Sequence, residues 1–211
     1  ASNLAVIWDH GSVLTKLNQT LLKAPLPALT SLHLDPALHI HHWLVRRLPH
    51  TLTHLNFSAH GFLGPTYAQL PRSLTSLRLH NVRKFHPKHA RKLPPGLTTL
   101  LVDTNRIYDR TLGALPTTLL ELTLPYAVQI TPLGFTLLPS GIRYLHLGRT
   151  SPILLRPVIA DLKLPASLRK LQSDLNLDPL LDRLFSQTLG PSGAFAASPA
   201  PSLVTIKLSP A

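Results

Sequence analysis

Apolar positions along this chain return in one short phrase: Leu-Pro, two variable residues, then leucines spaced L-x-x-L-x-L. It reads "LPHTLTHLNF" from Leu48, "LPRSLTSLRL" from Leu70, "LPPGLTTLLV" from Leu93, "LPTTLLELTL" from Leu115 and "LPSGIRYLHL" from Leu138. Aligned on the first leucine of the pattern, units start at Leu29, Leu52, Leu74, Leu97, Leu119, Ile142, Leu168 and Leu203, with spacings of 23, 22, 23, 22, 23, 26 and 35. Within a phrase the alternation is that of a half-buried strand. Leu74, Leu77 and Leu79 point inward, while Thr75, Ser76 and Arg78 take the outward positions. Pro49, Pro71, Pro94, Pro116, Pro139 and Pro165 stand three residues before each first leucine. A fixed φ and a missing N–H suit a corner into a strand there.

One such unit cannot cover its own leucines, so neighbours must stack on both sides of it. A period of 22 to 23 lies within the range of leucine-rich repeats. The expected fold is an α/β-type, β-dominated horseshoe solenoid of about eight units with a parallel sheet on its concave side. Residues such as Phe62, Tyr67 and Leu70 close the core from the returning segments. With 21 prolines, the convex returns are expected to be irregular, extended or 3-10 in character. One helix is expected near the C-terminus in "LDPLLDRLFSQTLG", with Asp178 as N-cap, Pro179 in the first turn and Gly190 as terminator. Residues 1–211 then form a single domain: 1–24 an N-terminal cap, 25–175 about seven repeats of 22 to 26 residues, and 176–211 a helical insertion, a Pro/Ala/Ser connector and a C-terminal edge strand.

The L-P-x-x-L-x-x-L-x-L phrase resembles leucine-rich repeats of the Phe-Asn-Ile-Pro (FNIP) type, and more distantly the LPX repeats of secreted bacterial ubiquitin ligases. The resemblance covers about residues 25–175; "FLGPTYAQLPRSL" and "FHPKHARKLPPGL" set an aromatic, a proline and LPxxL in the order of the first family. It implies a recognition module, attached in some members of the first family to an F-box and in the second to a cysteine-dependent ligase domain. The Asn-Ile part of the motif is absent. So is most of the asparagine ladder of generic leucine-rich repeats: Asn105 and Asn176 hold its position, against Ala37, His60, Val82, Ala127 and Thr150. Those turns must satisfy their backbone by other means.

The absence of cysteine removes disulfides, thiolate metal sites and cysteine nucleophiles, and an intracellular setting, cytoplasmic or organellar, is expected. No apolar run reaches the roughly 18 residues of a membrane span, and "ASNLAVIWDH" lacks the layout of a signal peptide. Twenty-one Lys and Arg against nine Asp and Glu give a net charge of +12. From Pro36 to Val102 there is no acid, but nine Lys or Arg and nine His. Within that stretch "RLHNVRKFHPKHARK" groups Arg78, Arg83, Lys84, Lys88, Arg91 and Lys92 around Phe85, and Arg46 and Arg47 precede them. Like charge at that density repels itself unless an anion sits on it. These eight cations are the candidate anion- or RNA-binding residues.

A second candidate surface is the outward column of the sheet: His33, His54, Asn56, Arg78, Leu101, Arg143, Tyr144, His146, Arg169 and Lys170, with Arg149 close by. The plainer reading of its N-terminal half is a solvated face rich in β-prone threonine. The histidines at His39, His41, His42, His50, His54, His86 and His89 are too loosely spaced for a metal set and have no carboxylate beside them, so no metal and no cofactor are expected. No nucleophile elbow or phosphate-cradling glycine loop is present, and no enzyme is expected. The partner expected is protein, structured RNA or both in a larger complex, with no small-molecule substrate. RNA contact would be to phosphates and shape. A scaffold docking on a ribonucleoprotein such as a ribosome is the leading reading. The alternative is a protein-recognition module that uses the concave face.

Overall fold

The structure, a computed structural model, describes residues 2–6, 29–34, 42–60, 62, 64–148, 164–173 and 207–208. Among these, nine strands form one sheet in chain order: β1 (Ser2–Val6), β2 (Leu29–Leu34), β3 (His54–Ser58), β4 (Ser76–His80), β5 (Thr99–Val102), β6 (Glu121–Leu124), β7 (Tyr144–Leu147), β8 (Lys170–Ser173) and β9 (Lys207–Leu208). Every neighbouring pair is parallel. The registers reproduce the spacing of the phrases: Leu55 pairs Leu77, Leu77 pairs Leu100, Leu100 pairs Leu122, Leu122 pairs Leu145 and Leu145 pairs Leu171. β1 belongs to the expected cap, and its backbone continues the sheet with Leu4 beside Leu32.

Each Leu-Pro phrase is a closed corner. The N–H of the first pattern leucine donates to the carbonyl of the proline three residues earlier, at 3.0–3.2 Å for Pro49, Pro71, Pro94, Pro116, Pro139 and Pro165. The next carbonyl to turn outward accepts two N–H groups from the following unit. Thr53, Thr75, Thr98, Leu120 and Arg143 each do this at 2.8–3.0 Å. Hydroxyls tighten the same corner: Ser73 donates to Leu52 O at 2.7 Å, Thr118 to Leu97 O at 2.8 Å and Thr51 to Leu29 O at 2.9 Å. Past the strands, where an asparagine ladder would stand, backbone serves instead: Ala59 N–H donates to His80 O and Val82 N–H to Asp103 O, each one unit onward.

The returns carry single helical turns: α1 (His42–Val45), a 3-10 turn (Thr66–Gln69), α2 (Pro87–Ala90), α3 (Asp109–Leu112) and α4 (Pro132–Thr136). The next Leu-Pro limits each of them, because the residue before a proline is driven out of the helical region. The expectation of short, irregular returns holds, with α-turns in most places where 3-10 or extended backbone was anticipated. Between sheet and returns lies one core. Leu52, Leu74, Leu97, Leu119 and Ile142 have no exposed surface, and Tyr67, Phe85, Ile107, Ile130 and Phe135 meet them from the return side. Phe62 packs partly buried at 4.9 Å from the Phe57 ring. The helix expected at 178–190 lies outside the described residues.

Candidate binding faces

The outward column of the sheet is in register as the phrase spacing requires. His33, Asn56, Arg78, Leu101, Thr123, His146 and Gln172 form one row, and Ser31, His54, Ser76, Thr99, Glu121, Tyr144 and Lys170 the next. Their chemistry differs from an open set of side chains. Asn56 is only 8% exposed. Its Nδ2 lies 2.8 Å from His33 Nδ1, and its Oδ1 is buried with no hydrogen-bond partner. Tyr144 donates its hydroxyl to Gln172 Oε1 at 2.9 Å, and Lys170 Nζ sits 5.0 Å above the Tyr144 ring. The cation and aromatic expected to receive a ligand there are thus already engaged with each other. Arg143 and Arg169 are exposed at the corner edge of the same strands. Arg149, His39 and His41 lie outside the described residues.

The basic segment 78–92 does not form one cluster around Phe85. Phe85 is fully buried, with its ring 5.7 Å from Tyr67 in the core, so it offers no surface to a ligand. Strand geometry puts Arg78 on the sheet face, and the chain then carries the rest around the unit. Arg83 and Lys84 are exposed in the turn after β4, Lys88 on α2, and Arg91 and Lys92 just past it. Arg46 and Arg47 are exposed two units earlier, also just before a Leu-Pro corner. Arg110, which sequence reasoning left out because it lies beyond the acid-free stretch, is exposed at the second position of α3, matching Lys88 in α2. The 22-residue offset was the available signal. In α4 the same place is taken by Leu133, 62% exposed, so α4 adds no cation to the strip.

The described acids do not pair with this strip. Among the described residues, Asp103 faces His80 at 3.9 Å, Asp109 accepts from the backbone and hydroxyl of Thr131, and Glu121 accepts from the Thr99 hydroxyl at 3.4 Å. Burial holds His80 below the ordinary histidine range against the opposing pull of Asp103, with Arg78 and His33 adding to the lowering. Burial, then His86, does the same for His89, which stacks 4.8 Å from Tyr67. No group of three metal-ligating side chains occurs among the described residues, and none of their helices is long and apolar enough to cross a membrane.

The sequence matches no protein-family model and no curated protein. Solved structures do resemble it. The leucine-rich repeat-containing protein LegL7 from Legionella pneumophila aligns over 88% of this chain and 69% of its own, with 18% identity and a TM-score of 0.59. TLR13, in a complex with ssRNA13, aligns over 70% of this chain and 23% of its own, with 20% identity and a TM-score of 0.53. CroV588, a circular leucine-rich repeat protein, aligns over 69% of this chain and 20% of its own, with 21% identity and a TM-score of 0.46. The stacked parallel strands, the Leu-Pro corners and the likeness to LegL7 establish a leucine-rich repeat solenoid.

Proposed function

We propose that the chain is a non-catalytic binding scaffold that docks through its basic return face onto structured RNA within a larger assembly, a ribonucleoprotein such as a ribosome. The observation that carries this reading is the strip Arg46, Arg47, Lys88, Arg91, Lys92 and Arg110, exposed on the returns of α1, α2 and α3, with the 3-10 return between the first two contributing none of them, while the described acids are engaged elsewhere. Fixed cations that pair with none of the described acids gain from releasing the counterions of a polyanion. TLR13, of the same fold, is described with single-stranded RNA, so an RNA partner is compatible with such a solenoid.

The test is capture of partners from a native lysate with and without ribonuclease, using the wild-type chain and a variant carrying Arg83→Gln, Lys84→Gln, Lys88→Gln, Arg91→Gln and Lys92→Gln. Ribonuclease-sensitive capture that the variant loses is the expected result. Ribonuclease-resistant capture of one protein, lost when Arg78, Leu101, Tyr144 and His146 are substituted instead, would move recognition to the concave face.

A further inference from the structure

Between β2, β3 and β4 the sheet face holds a shallow pocket lined by Ser31, His33, His54, Asn56, Ser76 and Arg78. Asn56 is its best-buried polar side chain, and its Oδ1 has no partner. An unpaired buried carbonyl is unfavourable, and an arrangement that pairs it lowers the energy of the site. Nearly everything else around it donates. Arg78 stands beside Asn56 in register, Ser31 and Ser76 bring hydroxyls, and two imidazoles flank the amide. Thr53 Oγ1 lies 3.0 Å from Thr30 O and 2.8 Å from His54 Nδ1. No carboxylate of the described residues lines the pocket.

We propose that this pocket binds a phosphate group of the RNA backbone, an inference that rests on the docking reading above. An entering phosphate meets the Arg78 guanidinium in charge-assisted hydrogen bonds and draws the Asn56 amide N–H off His33, so the amide turns over. Oδ1 then accepts the N–H of the other neutral His33 tautomer, and Nδ2 is released towards the anion. The unpaired carbonyl gains its partner in the bound state. Among the described residues, Arg78 and His54 line the pocket with His33, and His80, close enough to feel His33, is faced by Asp103. Arg78 on the sheet face, Arg83 and Lys84 at the strand ends, and Lys88, Arg91 and Lys92 on the return make a basic girdle around a single unit. A strand docked on the return reaches the pocket by crossing that edge.

The experiment is NMR on the labelled full chain, following the Asn56 side-chain amide and the His33 imidazole. The probes are inorganic phosphate and a single-stranded oligoribonucleotide of about eight nucleotides. Both probes should shift both groups, and Arg78→Gln, at an exposed position, should weaken each response about tenfold or more. The variant substituted at Arg83, Lys84, Lys88, Arg91 and Lys92 should keep the response to inorganic phosphate. RNA binding that leaves the pocket signals unmoved overturns this inference and leaves the docking reading standing. No RNA binding by any signal overturns both. A pocket that answers a phosphoserine peptide and not RNA overturns it in favour of a protein ligand.

Discussion

Tyr67 shows what a single side chain contributes here. Its ring is 1% exposed, meets Phe62 and Phe85 edge-on at 5.7 Å and stacks on His89 at 4.8 Å, yet its hydroxyl has no hydrogen-bond partner. Burial pushes the phenol well above its ordinary range, which keeps it neutral. The ring stabilises the core and the hydroxyl does not. Tyr67→Phe is therefore expected to leave stability unchanged or to raise it by about 1 kcal/mol in chemical denaturation; a loss of that size would reveal a partner for the hydroxyl. His80 and His89 add a pH dependence. Both are neutral in the folded and unfolded chain above about pH 6.5. Below that value the unfolded chain takes up protons first, because both folded values are lowered. Stability should fall as pH drops from 7 towards 5, and a double His80→Gln, His89→Phe variant should show a smaller fall in melting temperature. At this scale the sequence placed Phe62, Tyr67 and Leu70 in the core correctly, because the repeat spacing fixes which side faces inward. It could not show that Asn56 and His33 bond each other, since those residues are 23 apart and meet only once the strands pair.

The element that repeats is the corner. Its Leu-Pro signal was legible because proline and period coincide, and each such proline accepts the closing hydrogen bond. The hydroxyl ladder was not legible, because Ser73 and Thr118 read as ordinary turn residues until the preceding unit places Leu52 O and Leu97 O beside them. Ser73→Ala should cost about 1 kcal/mol of unfolding free energy, the net worth of a neutral hydrogen bond. A change close to zero would mean that water replaces the hydroxyl at that corner. At the other end of the strands, Gly148 stands where a Cβ would collide with the Pro125 carbonyl of the preceding unit. Backbone on backbone leaves no flexible group to yield. Gly148→Ala should destabilise by more than about 2 kcal/mol, and a neutral outcome would show that β7 can move away from β6. The helical returns were underestimated because units of this length leave room for one turn and no more, too short for a hydrophobic period to show in the sequence.

Over the whole molecule the dominant physical fact is the charge of +12, distributed by the solenoid. The sequence revealed the amount and the acid-free stretch. It did not reveal the faces, since 78–92 is contiguous in the chain but wraps from sheet to return in space. Folding divides those cations among three surfaces and lines up Arg46, Arg47, Lys88, Arg91, Lys92 and Arg110 along the returns. The five substitutions at 83–92 lie on exposed side chains, so they should change thermal stability little while changing what the molecule attracts. The most direct test is the affinity for a structured RNA measured across a salt series, for the wild type and that variant. Docking through the strip predicts that log affinity falls linearly with log salt, and that the slope shrinks by about 0.7 to 0.9 for each phosphate contact removed. A wild-type affinity indifferent to salt, or a slope the variant does not change, would contradict it.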